Sequence, residues 1–139
     1  MTYLLDTDVV SEARRPRPNA SVLAWLSDAP LGELYLSVLV GGELRQGIAR
    51  LRWRGDDRQA ALLDGWLTGL ERIYGDRILP VTREVADTWG QLNVPDLLPP
   101  IDGLLAVTAK VHGLTLVTRN VKDVARTGVP VLNPFDPVG

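Results

Sequence analysis

Cysteine is absent from the 139 residues, which excludes disulfide frameworks, thiolate metal sites and cysteine nucleophiles. Histidine occurs once, at position 112. A two-histidine zinc site is therefore impossible, and His112 is the one base available to a serine triad. Any bound metal must be held mainly by oxygen, which favours Mg²⁺ or Mn²⁺ over zinc or copper. No run approaches the ~18 apolar residues of a membrane span. The opening Met1-Thr2-Tyr3-Leu4-Leu5-Asp6 has neither the basic region nor the apolar stretch of a signal peptide, so a soluble cytoplasmic protein with no membrane partner is expected. Charge of one sign is lacking too. Fifteen basic residues against 17 acidic ones give a net charge of -2, which disfavours a simple basic nucleic-acid binder and leaves only local patches.

What remains has ordinary globular proportions, 45% hydrophobic and 23% charged, without repeats or low-complexity tracts. One domain spanning 1–139 is expected. Tyr3–Leu5 is a short apolar strand, and Asp6-Thr7-Asp8 can cap the helix after it, which ends where Pro16 pushes Arg15 out of helical geometry. Asn19 caps a helix carrying Val22, Trp25, Leu26 and Ala29. Leu34–Ser37 is a second strand, and Ser37 caps a helix whose apolar side is Val40, Leu44, Ile48 and Leu51. Gly41 and Gly42 weaken that helix by roughly 1 kcal/mol each, a cost that close packing would explain. Asp56-Asp57 opens another helix with Leu63, Trp66, Leu67, Leu70, Ile73 and Tyr74 in a stripe, so the two make a hairpin. Ile78–Val81 is a third strand. Thr82 caps a helix with Val85, Trp89 and Leu92 inward, Val94–Pro100 is a loop, and Ile101–Val111 is a helix closed by Gly113. Leu114–Thr118 is a strand covered on both faces. A polar turn leads to a fifth strand, Val129–Leu132, and a Pro-rich tail. Strands alternating with helices give an α/β sandwich around a mostly parallel sheet.

In such sheets ligands collect at the carboxyl ends of strands, near the point where strand order reverses. Asp6 follows the first strand, Asn120 and Asp123 follow the fourth, Asp102 lies in the first turn of the helix leading into the fourth, and Glu43 lies two turns into the helix after the second. Carboxylates gathered from these segments repel one another, so protonation or a divalent cation must offset their charge. With oxygen ligands, Mg²⁺ can activate water for phosphodiester hydrolysis, with one ion or two. Each residue also has a purely structural role open to it. Asp6 and Asp102 suit helix starts, Glu43 a solvated helix face, and Asn120 and Asp123 a turn.

The same acids lie in four longer segments: Tyr3-Leu4-Leu5-Asp6-Thr7-Asp8-Val9-Val10-Ser11-Glu12, Leu36-Ser37-Val38-Leu39-Val40-Gly41-Gly42-Glu43-Leu44-Arg45-Gln46-Gly47-Ile48, Ile101-Asp102-Gly103-Leu104-Leu105-Ala106-Val107-Thr108-Ala109 and His112-Gly113-Leu114-Thr115-Leu116-Val117-Thr118-Arg119-Asn120-Val121-Lys122-Asp123-Val124. In order and spacing, over nearly the whole chain, they resemble the PIN-domain ribonucleases, in particular the VapC toxins of type II toxin–antitoxin pairs and their FitB-like branch. The resemblance implies a three-layer α/β/α sandwich around a five-stranded sheet. It also implies a Mg²⁺ or Mn²⁺ pocket in which Asp6, Glu43 and Asp102 are the ligands, and endonucleolytic RNA cleavage. A cognate antitoxin, presenting a basic side chain to the pocket, and a homodimer that joins it in a larger complex are implied as well. The family's fourth polar position falls on Asn120, where many relatives carry Asp, so either Asn120 or Asp123 completes the pocket. Asp8 stands where relatives usually have Asn, and Gly103 where Ala is more usual.

RNA reaching an acidic pocket needs cations around it. The candidates are Arg14, Arg15, Arg17, Arg45, Arg50, Arg52, Arg54, Arg119 and Lys122, while Thr7, Ser37 and Thr118 offer hydroxyls for orienting ligands or capping helices. His112 suits a helix C-terminus. Trp25, Trp66 and Trp89 lie on apolar stripes, whereas Trp53 sits among arginines. Two alternatives stand beside the nuclease: a non-catalytic PIN-like domain binding RNA or protein, and a haloacid-dehalogenase-like phosphatase using Asp6 as nucleophile and Asp8 as general acid. The phosphatase would need a later paired-acid motif after a strand, and none is present.

Overall fold

The structure is a computed structural model that describes residues 1–136, so the end of the Pro-rich tail lies outside the described residues. Tyr3–Leu5 forms β1, and Asp6 caps α1 (Thr7–Glu12) by accepting a hydrogen bond from the Thr7 N–H. Asn19 caps α2 (Ala20–Asp28) through the Val22 N–H. β2 (Leu34–Ser37) ends at Ser37, whose Oγ accepts from the Leu39 N–H and starts α3 (Val38–Trp53). Asp56 caps α4 (Asp57–Tyr74), which returns along α3 as the expected hairpin. Then follow β3 (Ile78–Leu79), α5 (Arg83–Leu92) capped by Thr82, α6 (Pro100–His112), β4 (Thr115–Val117), α7 (Val121–Val124) and β5 (Val131–Leu132). No helix among the described residues is long and apolar enough to cross a membrane.

The five strands lie in the order β3-β2-β1-β4-β5, and every pairing is parallel. Alternation along the strands sends side chains to opposite faces. Leu4 and Leu116 join Leu44, Ile48, Leu63, Leu67, Leu105 and Ala109 beneath α3, α4 and α6. Leu5 and Val117 join Val9, Val10, Val22 and Leu36 beneath α1 and α2. Helices on both faces of one parallel sheet make the three-layer α/β/α sandwich.

The departures from the sequence reading have local causes. β3 stops at Leu79 rather than Val81, because Pro80 has no N–H to donate. β5 starts at Val131 for the same reason at Pro130, whose carbonyl still accepts from the Leu116 N–H. β4 starts at Thr115, because the left-handed Gly113 turns the Leu114 N–H back onto the Ala109 carbonyl to close α6. The polar turn after β4 contains the one-turn helix α7. Ile73, expected on the buried stripe, is exposed. Gly41 and Gly42 do not mark a close approach, since a Cβ at either would meet nothing within 4 Å. Gly103 does, because its Cβ would fall 2.8 Å from Leu98 Cβ.

Candidate active site

From β1 the chain steps to β2 and β3 on one side, and β4 and β5 add on the other, so strand order reverses between β1 and β4. Their carboxyl ends open onto the crevice where parallel sheets bind ligands. Asp6 and Thr118 face each other across it. The Asp6 N–H donates to the Val117 carbonyl at 3.0 Å and continues the ladder past β1. Thr118 Oγ1 donates to Asp6 Oδ2 at 2.7 Å, while Asp6 Oδ1 accepts from the Thr7 N–H at 2.6 Å. Asp6 is 5% exposed.

Burial pushes the Asp6 carboxyl up to about 6, and Asp102 and Asp8 add repulsion. The hydrogen bonds from Thr118 and Thr7 work the other way without cancelling it. Asp102, in the first turn of α6, is also raised. Burial is the main cause, followed by the charges of Asp123, Glu43 and Asp8, against a hydrogen bond from Asn120. Four segments that are remote in sequence therefore bring their acids within electrostatic reach of one another.

The hydroxyls and amides of the crevice order this cluster. Thr7 Oγ1 donates to Glu43 Oε1 at 2.6 Å, tying the start of α1 to α3. Asn120 Nδ2 reaches Asp102 Oδ2 at a long 3.4 Å, and the Asn120 N–H donates to Thr118 Oγ1 at 3.1 Å. Thr118 thus links Asp6 and Asn120. Ser37 is occupied as a helix cap. Asp123 lies exposed in α7, and its charge is the largest carboxylate influence on Asp102. Asn120 and Asp123 both border Asp102, one as hydrogen-bond donor and the other as charge.

Asp8 is the acid that sequence reasoning left outside its site set. It bears on both Asp6 and Asp102. Its signal was the Asp-x-Asp spacing at the start of α1, together with its standing where relatives usually have Asn.

The donor set consists of hard oxygens in a partly buried crevice with uncompensated negative charge, which fits an ion such as Mg²⁺ or Mn²⁺. As the side chains lie, no three acids among the described residues stand at ligating distance from one point. Glu43 and Asp102 each have one oxygen held, by the Thr7 hydroxyl and the Asn120 amide, and Asp6 has both held, by the Thr7 N–H and the Thr118 hydroxyl.

The cations divide into two sets. Arg45 and Arg52 both pair with Asp64, at 2.9 and 3.2 Å, and Arg15 pairs with Glu12 at 3.3 Å. Arg14 lies over the Trp66 ring and Arg119 over Phe135, 3.9 Å from its centroid. Among the described residues, Arg17, Arg50, Arg54 and Lys122 have no ion-pair partner. Trp25 packs edge-on against Tyr3, and Trp66 borders both cores, whereas Trp53 is 88% exposed.

Comparison with known proteins gives a consistent picture. The family model for the PIN domain matches residues 3–129. Toxin FitB of Neisseria gonorrhoeae is 35% identical over 137 residues, covering 95% of this chain and 97% of that protein. VapC ribonuclease Y4jK of Sinorhizobium fredii is 31% identical, covering 96% and 98%. The crystal structure of FitAcB from Neisseria gonorrhoeae superposes with a TM-score of 0.88 at 35% identity, over 96% of this chain and 99% of that one.

Proposed function

Because the chain belongs to the PIN-domain family, we propose that it is a divalent-metal-dependent endoribonuclease toxin, held in check by a cognate antitoxin. The observation that carries this reading is geometric: at the strand-order crevice Thr118 and Thr7 hold Asp6, Thr7 also holds Glu43, and Asn120 holds Asp102. Residues 1–139 would act as one nuclease unit. The resemblance to a named toxin and a named ribonuclease supports the activity.

Asp6, Glu43 and Asp102 would hold Mg²⁺ or Mn²⁺, which when bound supplies Lewis acidity toward a phosphoryl oxygen and acidifies water. Thr118 keeps Asp6 aimed into the crevice, and Thr7 does the same for Glu43. Asn120 holds one oxygen of Asp102, and Asp123 adds charge beside it. Burial of Asp6 keeps bulk water from screening the centre.

The phosphatase alternative falls with PIN-domain membership. A non-catalytic binding domain retains one argument, the neutral Asn120 where relatives carry Asp, and experiment separates it from the nuclease. Brief expression followed by sequencing of RNA 5′ and 3′ ends should show new internal cleavage sites with the native chain and none with Asp6→Asn. Equal cleavage by both would contradict the assignment. Co-expression of the cognate antitoxin should abolish the cuts. Homodimerisation is part of the same proposal and is read by sedimentation.

A further inference from the structure

Helix α3 carries its polar residues on two flanks that differ in kind. On one, Arg45 and Arg52 are both tied to Asp64 of α4. On the other, Glu43, Gln46, Arg50, Trp53 and Arg54 follow at i, i+3, i+7, i+10 and i+11, which places them along one side of the helix. Gln46, Ala49, Arg50, Trp53 and Arg54 line an open depression there. Trp53 is 88% exposed, the largest exposure among the big apolar side chains of the described residues, and no guanidinium covers its ring. The flank begins at an acid of the crevice and reaches the hairpin tip about 15 Å further along the axis.

We propose that Trp53, flanked by Arg50 and Arg54, is a stacking platform that holds a base of single-stranded RNA while the two guanidiniums take the adjoining phosphates. The proposal rests on the ribonuclease reading and extends it to substrate positioning. An indole stacks on any base, and arginines beside it neutralise the backbone, the combination that non-sequence-specific single-strand binders use. Last-turn arginines also complement the negative end of the α3 dipole, but that role needs no exposed indole. Tryptophan and arginine also form hot spots between proteins, an occupant that the self-association measurement below separates from RNA; the other residues lining the depression are Gln46, Ala49, Arg50 and Arg54. With Arg45 and Arg52 tied to Asp64, the cations of α3 and its C-cap that are unpaired among the described residues are Arg50 and Arg54, on the flank that leads from Glu43.

The test measures binding of a roughly 12-nucleotide single-stranded RNA carrying 2-aminopurine to the full chain, in EDTA and across a salt series, apart from cleavage. Trp53→Ala should weaken binding about ten-fold at every salt concentration without changing the salt slope, and Trp53→Phe should recover most of it. Arg50→Ala and Arg54→Ala should each flatten the slope of log affinity against log salt by about 0.7. Arg52→Ala, one position from the indole but paired with Asp64, should leave affinity and slope near native. Unchanged binding by Trp53→Ala would overturn the proposal. So would loss of self-association in that variant, measured by sedimentation, because the tip would then be a contact between copies of the chain. The two readings fail separately: RNA bound in this pattern but uncut when Mn²⁺ is added removes the ribonuclease and keeps the platform. RNA cut normally, with Trp53→Ala binding as native, removes only the platform.

Discussion

Asp6 is buried at the end of β1 with Thr7 and Thr118 on its two oxygens. Burial pushes its carboxyl up to about 6 in the folded chain, against an ordinary 3.8. Between those values the folded chain keeps a proton that the unfolded chain has released. Stability of the metal-free protein should therefore fall as pH rises from about 4 to 6, by up to about 3 kcal/mol from this group, and stay lower above that window. Bound Mn²⁺ requires the ionised carboxylate and offsets that cost. Thermal melts should show Mn²⁺ raising Tm at about pH 7 and leaving it unchanged near pH 4.5; equal shifts at both would contradict this. Asp6→Asn should raise metal-free stability at neutral pH by about 2 kcal/mol while removing the Mn²⁺ response, as read by urea denaturation. Asp6, Glu43 and Asp102 were legible from sequence because each sits at a strand end or an early helical turn, places that topology alone brings together. Asp8 was harder to place, since its proximity to Asp102 depends on how closely α1 and α6 meet across the crevice.

At the scale of elements, two glycine environments have opposite consequences. Gly103 follows Asp102 in α6 and is pressed by Leu98, so Gly103→Ala should destabilise by about 1–3 kcal/mol despite the better helix propensity of alanine. The same clash should shift the first turn of α6 and weaken Mn²⁺ binding at Asp102. Gly41 and Gly42 have open space over them, so alanine at either should stabilise α3 by about 1 kcal/mol. Chemical denaturation of the three variants reads the contrast, and equal destabilisation in all three would contradict it. Sequence pattern located these glycines but not their surroundings, because propensity is local and the Leu98 contact is not. The caps at Asn19, Ser37, Asp56 and Thr82 were legible for the opposite reason: a side-chain acceptor two or three residues before its N–H is a local arrangement. Strand ends were less so, since Pro80 and Pro130 shorten edge strands that hydrophobicity alone would extend.

For the whole molecule, a net charge of -2 with a partly buried acidic crevice means that a polyanionic substrate approaches against repulsion unless positioned cations guide it. Alternating strands and helices made the α/β sandwich readable from sequence. Which arginines remain available was not readable, because the Asp64 pairings and the Trp66 and Phe135 contacts arise from tertiary packing. If Asp6, Glu43 and Asp102 act together on bound divalent metal to cut RNA, the cleavage rate of a defined RNA oligomer by purified, antitoxin-free protein reports it as Mn²⁺ is titrated, for the native chain and for Asp102→Asn. Internal cleavage that rises to saturation with Mn²⁺, stops in EDTA and falls at least about 100-fold in the variant is predicted. Cleavage that persists in EDTA, or that Asp102→Asn supports at the native rate, would contradict it.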